Sequence, residues 1–315
     1  MTKKVLMLCP LAALALASCS SESNSPEANN NRNEARFFAS INSLNSRAYN
    51  TVWEAGDQIG ITGTSGAKAY ANVAYSTDGT GNFTVVTPGS EIYYQTNDPV
   101  TFTAYYPYEN MLNSSVILAD THEQADQKQF DYLWSQAQGS KANPNVAFNF
   151  AHKMSKVVLV IKRGSDVSFD EVKEAKVAFG GFINEGQFDP ATGVATATGD
   201  ASALYTFAGN AEAVLNAPLT VDDAAETVSY SMIHFPQAFS AALPIVATLD
   251  GRQDFKAALD FTAGNSAAGD ATAANEWVAG RQYTITVTLH KTALTVNGCT
   301  ITPWTEVNSG DVDAE

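Results

Sequence analysis

Residues 283–289 repeat with a period of two. Tyr283, Ile285, Val287 and Leu289 alternate with Thr284, Thr286 and Thr288, and His290 follows in the polar phase. That spacing puts the apolar set on one face of a strand and the polar set on the other. A second run over residues 293–296 leads into Asn297-Gly298, which reads as a turn dipeptide. A third run, residues 299–304, is stopped by Pro303. The apolar face has to be covered. This C-terminal ribbon therefore demands a sheet built by the rest of the chain, by a neighbouring molecule, or by each at different times.

The rest of the chain supplies such sheets. Strand-like runs occupy residues 37–42, 58–62, 69–75, 82–87, 92–94 and 100–106 in the first half. In the second half they occupy residues 157–162, 176–183, 186–188, 227–235, 244–249 and 254–261. Turn chemistry separates them at Asp78-Gly79, Asn184-Glu185-Gly186 and Asp189-Pro190. Many short antiparallel strands at this spacing predict an all-β chain of two β-sandwich domains, residues 36–150 and 151–315. One stretch departs from the pattern. Phe130, Leu133 and Trp134, spaced three and four apart in a Gln- and Ala-rich segment, predict a short helical turn over residues 131–137.

The N-terminus reads as an export signal. Lys3 and Lys4 precede an apolar run over residues 5–17, too short to stay in a bilayer. It ends in Leu16-Ala17-Ser18-Cys19, which resembles the lipobox of bacterial lipoproteins. The expectation is a lipoprotein signal peptide at residues 1–18, a lipid-bearing Cys19, and a flexible polar tether at residues 19–35. Of three cysteines only Cys299 would then remain as a free thiol, so no internal disulfide is expected.

The chemistry of catalysis is sparse. A formal charge of −15 argues against nucleic-acid binding, which needs a basic face. His122, His152, His234 and His290 have no metal spacing, and no nucleophile, zinc or phosphate-loop motif is present. Gly56 and Gly60 stand in a strand context without a following helix, so they predict no nucleotide site. Asp120, Glu123, Asp126 and Asp131 form the densest acidic group and read as a solvated face rather than as a glycosidase pair. Tyr105, Tyr106 and Tyr108, with Trp134, are the candidate contacts of a sugar-stacking platform, but a tyrosine cluster of this kind more often builds the core and rim of a sandwich. No catalytic residue, metal or cofactor is predicted.

An ordered set of motifs carries a resemblance. Arg47-Ala48 is followed by Trp53-x-x-Gly56-Asp57-x-Ile59-Gly60-Ile61. Next come Ala104-Tyr105-Tyr106-Pro107-Tyr108, Phe130-Asp131-Tyr132-Leu133 and Phe150-x-His152-x-Met154-Ser155-Lys156. Phe235-Pro236-Gln237 and Trp277-x-x-Gly280-x-x-Tyr283, with Trp304, complete the set. Together with the lipobox at Cys19, these motifs resemble the fimbrillin family, the lipoprotein-derived pilins of Bacteroides-type bacteria. The resemblance implies two tandem transthyretin-like (Greek-key) β-sandwich domains and a precursor delivered to the cell surface as an outer-membrane lipoprotein. It further implies that an arginine-specific protease removes the first strand and opens a groove, which a C-terminal strand of the next subunit then fills. On this sequence the cleavage candidate is Arg47-Ala48, with Arg32 and Arg36 as competitors. The removed strand would be residues 36–42, and the donor would lie within residues 293–304, with Leu294, Val296, Ile301 and Trp304 as its apolar side chains. The tail after Trp304 is short and acidic, so donation would require the ribbon itself to leave its domain; a subunit unable to do this would serve as a tip or an anchor. The implied function is a non-enzymatic fimbrial subunit that contributes to adhesion and has other fimbrial subunits as partners. The alternative is a surface glycan-binding lipoprotein of a nutrient-uptake system.

Overall fold

The computed structural model describes residues 33–41, 52–110, 115–201, 204–206, 215–249, 253–259 and 276–304. The first half contributes β1 (Arg36–Ile41), β2 (Ala55–Ser65), β3 (Lys68–Asp78), β4 (Asn82–Val85), β5 (Val100–Tyr106), β6 (Ile117–Asp120), β7 (Leu133–Gly139) and β8 (Asn145–His152). The second half begins with β9 (Ser155–Arg163), the single-turn-and-a-half helix α1 (Phe169–Glu174), β10 (Lys176–Phe179), β11 (Glu185–Asp189), β12 (Val194–Ala197), β13 (Tyr205–Thr206) and β14 (Leu219–Asp222). It continues through β15 (Thr227–His234), β16 (Gln237–Ala238), β17 (Leu243–Leu249), β18 (Gln253–Leu259), β19 (Glu276–Trp277), β20 (Arg281–Leu289) and β21 (Leu294–Pro303). The protein is all-β apart from α1 and a 3-10 turn at Gln127–Gln129 among the described residues.

In the first half the sheet closes on itself in the order β1-β4-β3-β2-β5-β7-β8. The sequence predicts a β-sandwich; here β1 pairs with both β8 and β4 and closes the sheet into a barrel. Its interior is filled by alternate residues, among them Phe37, Ile59, Ile61, Phe102, Phe148 and Phe150. Pairing starts upstream of β1, inside the stretch read as tether. The Tyr94 amide donates to the Asn33 carbonyl and the Ala35 amide to that of Ile92.

The second half is built from two sheets, β14-β15-β9-β20-β21 and β13-β10-β17-β18. Apolar residues of both meet in one core that includes Leu159, Ile161, Phe179, Ile245, Tyr283 and Val287. A third sheet, β12-β11-β6, crosses between the halves, because β6 from the first pairs with β11 from the second. Over it lies a third apolar cluster with Tyr105, Phe130, Tyr132, Met154, Phe188, Phe235 and Trp304.

Two local predictions need correction. Residues 133–139 are strand β7, paired with β5 from Tyr106↔Leu133 to Val100↔Gly139. Leu133, Ser135 and Gly139 are buried while Gln136 and Gln138 are exposed, a period of two that ladder pairing imposes over the helical preference of Gln and Ala. Asn297-Gly298 is not a turn either. β21 runs through it as a single strand on β20, with Thr286 opposite Gly298 and Val287 opposite Val296, so Asn297 is the extra residue of a β-bulge.

Candidate functional site

The barrel seam is β1, with sequence RFFASI. Phe37 and Ile41 turn inward, and Arg36, Phe38 and Ser40 alternate outward or to the rim. On one side β1 runs parallel to β8 through six residue pairs, from Arg36↔Asn145 to Ile41↔Phe150. On the other it meets β4 antiparallel at only two, Phe37↔Phe83 and Phe38↔Asn82. The Phe37 ring is the plug. Its centroid lies 4.9 Å from Tyr75, 5.3 Å from Phe102 and 5.8 Å from Phe148. Trp53 holds the strand's backbone, its Nε1 donating to the Ala39 carbonyl at 2.9 Å. The Ala39 amide donates to Gly81 at 2.8 Å.

The C-terminal strand β21 is the edge of the five-stranded sheet and pairs with β20. Leu294 and Cys299 are buried, and Val296 and Ile301 pack against the same core while partly exposed. The positions 294, 296, 299 and 301 keep one apolar face only because the bulge inserts one residue between the two pairs. The bulge is itself anchored: the Thr288 hydroxyl donates to Asn297 Oδ1 at 2.7 Å. Burial pushes the Cys299 thiol up to about 12, so it is an unreactive core group.

Trp304 closes the strand and enters the cluster between the halves, where it is 2% exposed. Its indole stacks on the His152 imidazole at 3.9 Å between centroids and 14° between planes. His152 Nδ1 is 2.8 Å from Asp131 Oδ1. The Trp304 amide donates to Gly280, whose own amide donates to Met154, both at 2.8 Å. Gly280 has φ +71°, and a Cβ there would sit 3.2 Å from the His152 carbonyl. The Trp277-to-Tyr283 and Phe150-to-Lys156 motifs thus meet around Trp304.

All four candidate donor residues, Leu294, Val296, Ile301 and Trp304, lie on or at the end of β21 in its own sheet. Cys19, Arg47 and Ala48 lie outside the described residues, as does most of the predicted tether. The sugar-stacking platform is not assembled. Tyr105 and Tyr106 are buried, and the Tyr105 hydroxyl is hydrogen-bonded with Asn72 Oδ1 and with Glu109. The Trp134 Nε1 donates to the Pro190 carbonyl. The acidic group is spent on local structure. Asp120 accepts from the His122 amide, Glu123 accepts from the Ala125 amide and Asn216, and Asp131 is buried against His152. These hydrogen bonds, led by the Ala125 amide, hold the Glu123 carboxyl below its ordinary range.

The sequence matches the model of the fimbrillin-like family over residues 46–304. A Bacteroides uniformis protein named as the candidate fimbrium subunit Fim1C is 29% identical, with 98% of each chain covered. Among solved structures, a candidate cell adhesion protein from Bacteroides uniformis is 27% identical with a TM-score of 0.65, covering 86% of this chain and 99% of that one. A second, from Bacteroides ovatus, superimposes with a TM-score of 0.68 at 23% identity, covering 87% and 99%, and shares the fold. The chain belongs to the fimbrillin-like family.

Proposed function

We propose that the protein is a subunit of cell-surface fimbriae, assembled by replacing β1 of one molecule with the C-terminal strand of the next. The observation that carries this reading is the double pairing of β1. A six-residue strand bridges β8 and β4, plugs the barrel core with Phe37 and Ile41, and directly precedes the segment that contains Arg47. Cleavage at Arg47-Ala48 would leave β1 held by non-covalent contacts alone. Its departure would bare the Tyr75, Phe83, Phe102, Phe148 and Phe150 side of the barrel and two rows of unpaired backbone groups. Burial of a Phe or Ile side chain contributes about 1.5–3 kcal/mol each, so an empty groove is strongly disfavoured and another strand is its natural occupant. A strand carrying Leu294, Val296, Ile301 and Trp304 has the apolar face such a groove needs.

In this reading residues 1–18 are a lipoprotein signal and Cys19 carries the lipid that holds the precursor at the outer membrane. Residues 36–150 and 151–315 are tandem domains of transthyretin-like type, the first closed by its removable strand. The partners are other fimbrial subunits, and the fimbrium contributes to adhesion. Membership of the fimbrillin-like family supports a structural rather than an enzymatic role. The test is electron microscopy and an unboiled denaturing gel after arginine-specific cleavage of the purified precursor. Fibres and a ladder of polymers are expected. Stable monomers after complete cleavage at Arg47 would defeat the proposal.

A further inference from the structure

His152 is the last residue of β8, the strand that carries β1 along six pairs. One residue, Ala151, separates the end of that ladder, Ile41↔Phe150, from the ring on which Trp304 stacks. One small cavity has Ile41, Trp53, Tyr106, Asp131 and Leu133 among its lining residues, with Lys128 and Asp57 at its polar side. It therefore touches both the end of β1 and the carboxylate that holds His152. Leu133 is the register partner of His152. Trp53 touches β1 through the Ala39 carbonyl and β8 through Phe150, whose ring centroid is 5.4 Å away. β1 and the C-terminal strand thus both reach the end of β8, at Phe150 and at His152, and the cavity beside Ile41 borders the carboxylate that holds His152.

We propose that Trp304, His152 and Asp131 form a latch that keeps β21 in its own sheet while β1 occupies the barrel and loosens when β1 leaves. Loss of β1 strips β8 of an outer partner up to Phe150 and opens the cavity beside Asp131, so the imidazole under Trp304 loses its support. Buried Nε1 of Trp304 and Nε2 of His152 have no hydrogen-bond partner, which costs free energy in the home position and none in water. Opening the groove then primes the donor in the same molecule. The purpose of the latch rests on the strand-replacement reading, but its existence does not. Linkage also makes it reciprocal: undocking of Trp304 weakens the seating of β1 by the same factor as loss of β1 weakens the docking of Trp304.

Cys299, buried on β21, is a built-in reporter of that strand's position. The experiment uses the full, uncut chain with Cys9→Ser and Cys19→Ser, and measures the rate at which a thiol reagent labels Cys299. His152→Ala and Trp304→Ala should speed labelling by roughly 5- to 100-fold, the range of ordinary coupling between sites. Ile41→Ala, made on β1, should also speed it, whereas Phe38→Ala, on the outer face of the same strand, should not. The combined Ile41→Ala and Trp304→Ala chain should gain less than the product of the two single effects, since both open one latch. Ile41→Val serves with a smaller shift where circular dichroism shows that Ile41→Ala does not fold. Labelling of both Ile41 variants at the Phe38→Ala rate, or single effects that simply multiply, would overturn the latch. The measurement is made on monomers. Coupling without polymerisation after cleavage would sink strand replacement and keep the latch, and polymerisation without coupling would do the reverse.

Discussion

Trp304 stacks on His152 at 3.9 Å, and this one contact joins the end of the C-terminal strand to the end of the strand that carries β1. The indole is enclosed by the cluster that holds Tyr105, Met154, Phe188, Ile233 and Phe235. Truncation to Ala removes a large buried ring and should cost about 3–5 kcal/mol. Trp304→Phe keeps the stacking face and discards the unpaired Nε1, so it should cost much less. Urea unfolding of both variants measures the difference; equal losses would mean that the ring's packing is not what holds it.

The barrel plug makes a parallel prediction. Phe37→Ala should destabilise the uncut protein by about 3–5 kcal/mol, because its ring touches Tyr75, Phe102 and Phe148. Phe38→Ala, one residue on and facing outward, should change stability by less than about 1 kcal/mol. Thermal unfolding of the pair checks whether the seam strand is held by its inward face.

Gly81 guards the same strand from the β4 side. Its φ is +84°, and a Cβ there would lie 2.5 Å from the Ala39 carbonyl oxygen. Gly81→Ala should therefore cost more than about 1 kcal/mol through backbone strain alone and push β1 outward. Hydrogen exchange should rise at residues 37–41 before it rises in β20. Unchanged protection of β1 in this variant would show that the seam tolerates the displacement.

His234 is fully enclosed, and burial pushes its imidazole down to about 3. The folded state therefore holds it neutral while an unfolded chain protonates it near 6.5. Its stabilising contribution is complete above pH 6.5 and is lost as pH falls toward the folded value, by up to about 1.4 kcal/mol per pH unit. Urea midpoints at pH 7 and pH 5 should differ in the parent protein, and the difference should shrink in His234→Gln. A difference of the same size in both would remove His234 from the acid response.

Local pattern was enough for the strands that bury one face. Residues 100–106 alternate Val100, Phe102, Ala104 and Tyr106 against threonines and Tyr105, and they form β5 over that span. Phe37, Ala39 and Ile41 likewise announce β1. What a local pattern does not carry is the partner. Ile41 pairs with Phe150 and Trp304 stacks on His152 across more than a hundred residues, and register at that separation is decided by the assembled core. β7 was obscured because Gln and Ala favour a helix and only its place between β5 and β8 makes it a strand. The bulge at Asn297 was hidden for a related reason: Asn-Gly is equally turn chemistry, and the choice is made by the continuing ladder on β20. Helix α1 has its own signal in the sequence. Ser168 and Glu171 form a reciprocal capping box ahead of buried Val172.

The central claim, that β21 of one molecule takes the place of β1 in another, is tested most directly by cross-linking between two singly substituted chains. One carries Val85→Cys beside the β1 position on β4, and the other carries Val296→Cys on the donor face; both also carry Cys9→Ser, Cys19→Ser and Cys299→Ser. The two are mixed, cleaved at arginine, oxidised and run on a non-reducing gel. Dimers that appear only in the mixture and only after cleavage are the predicted result. Fibres that form from the mixture with every chain still monomeric on that gel would contradict it.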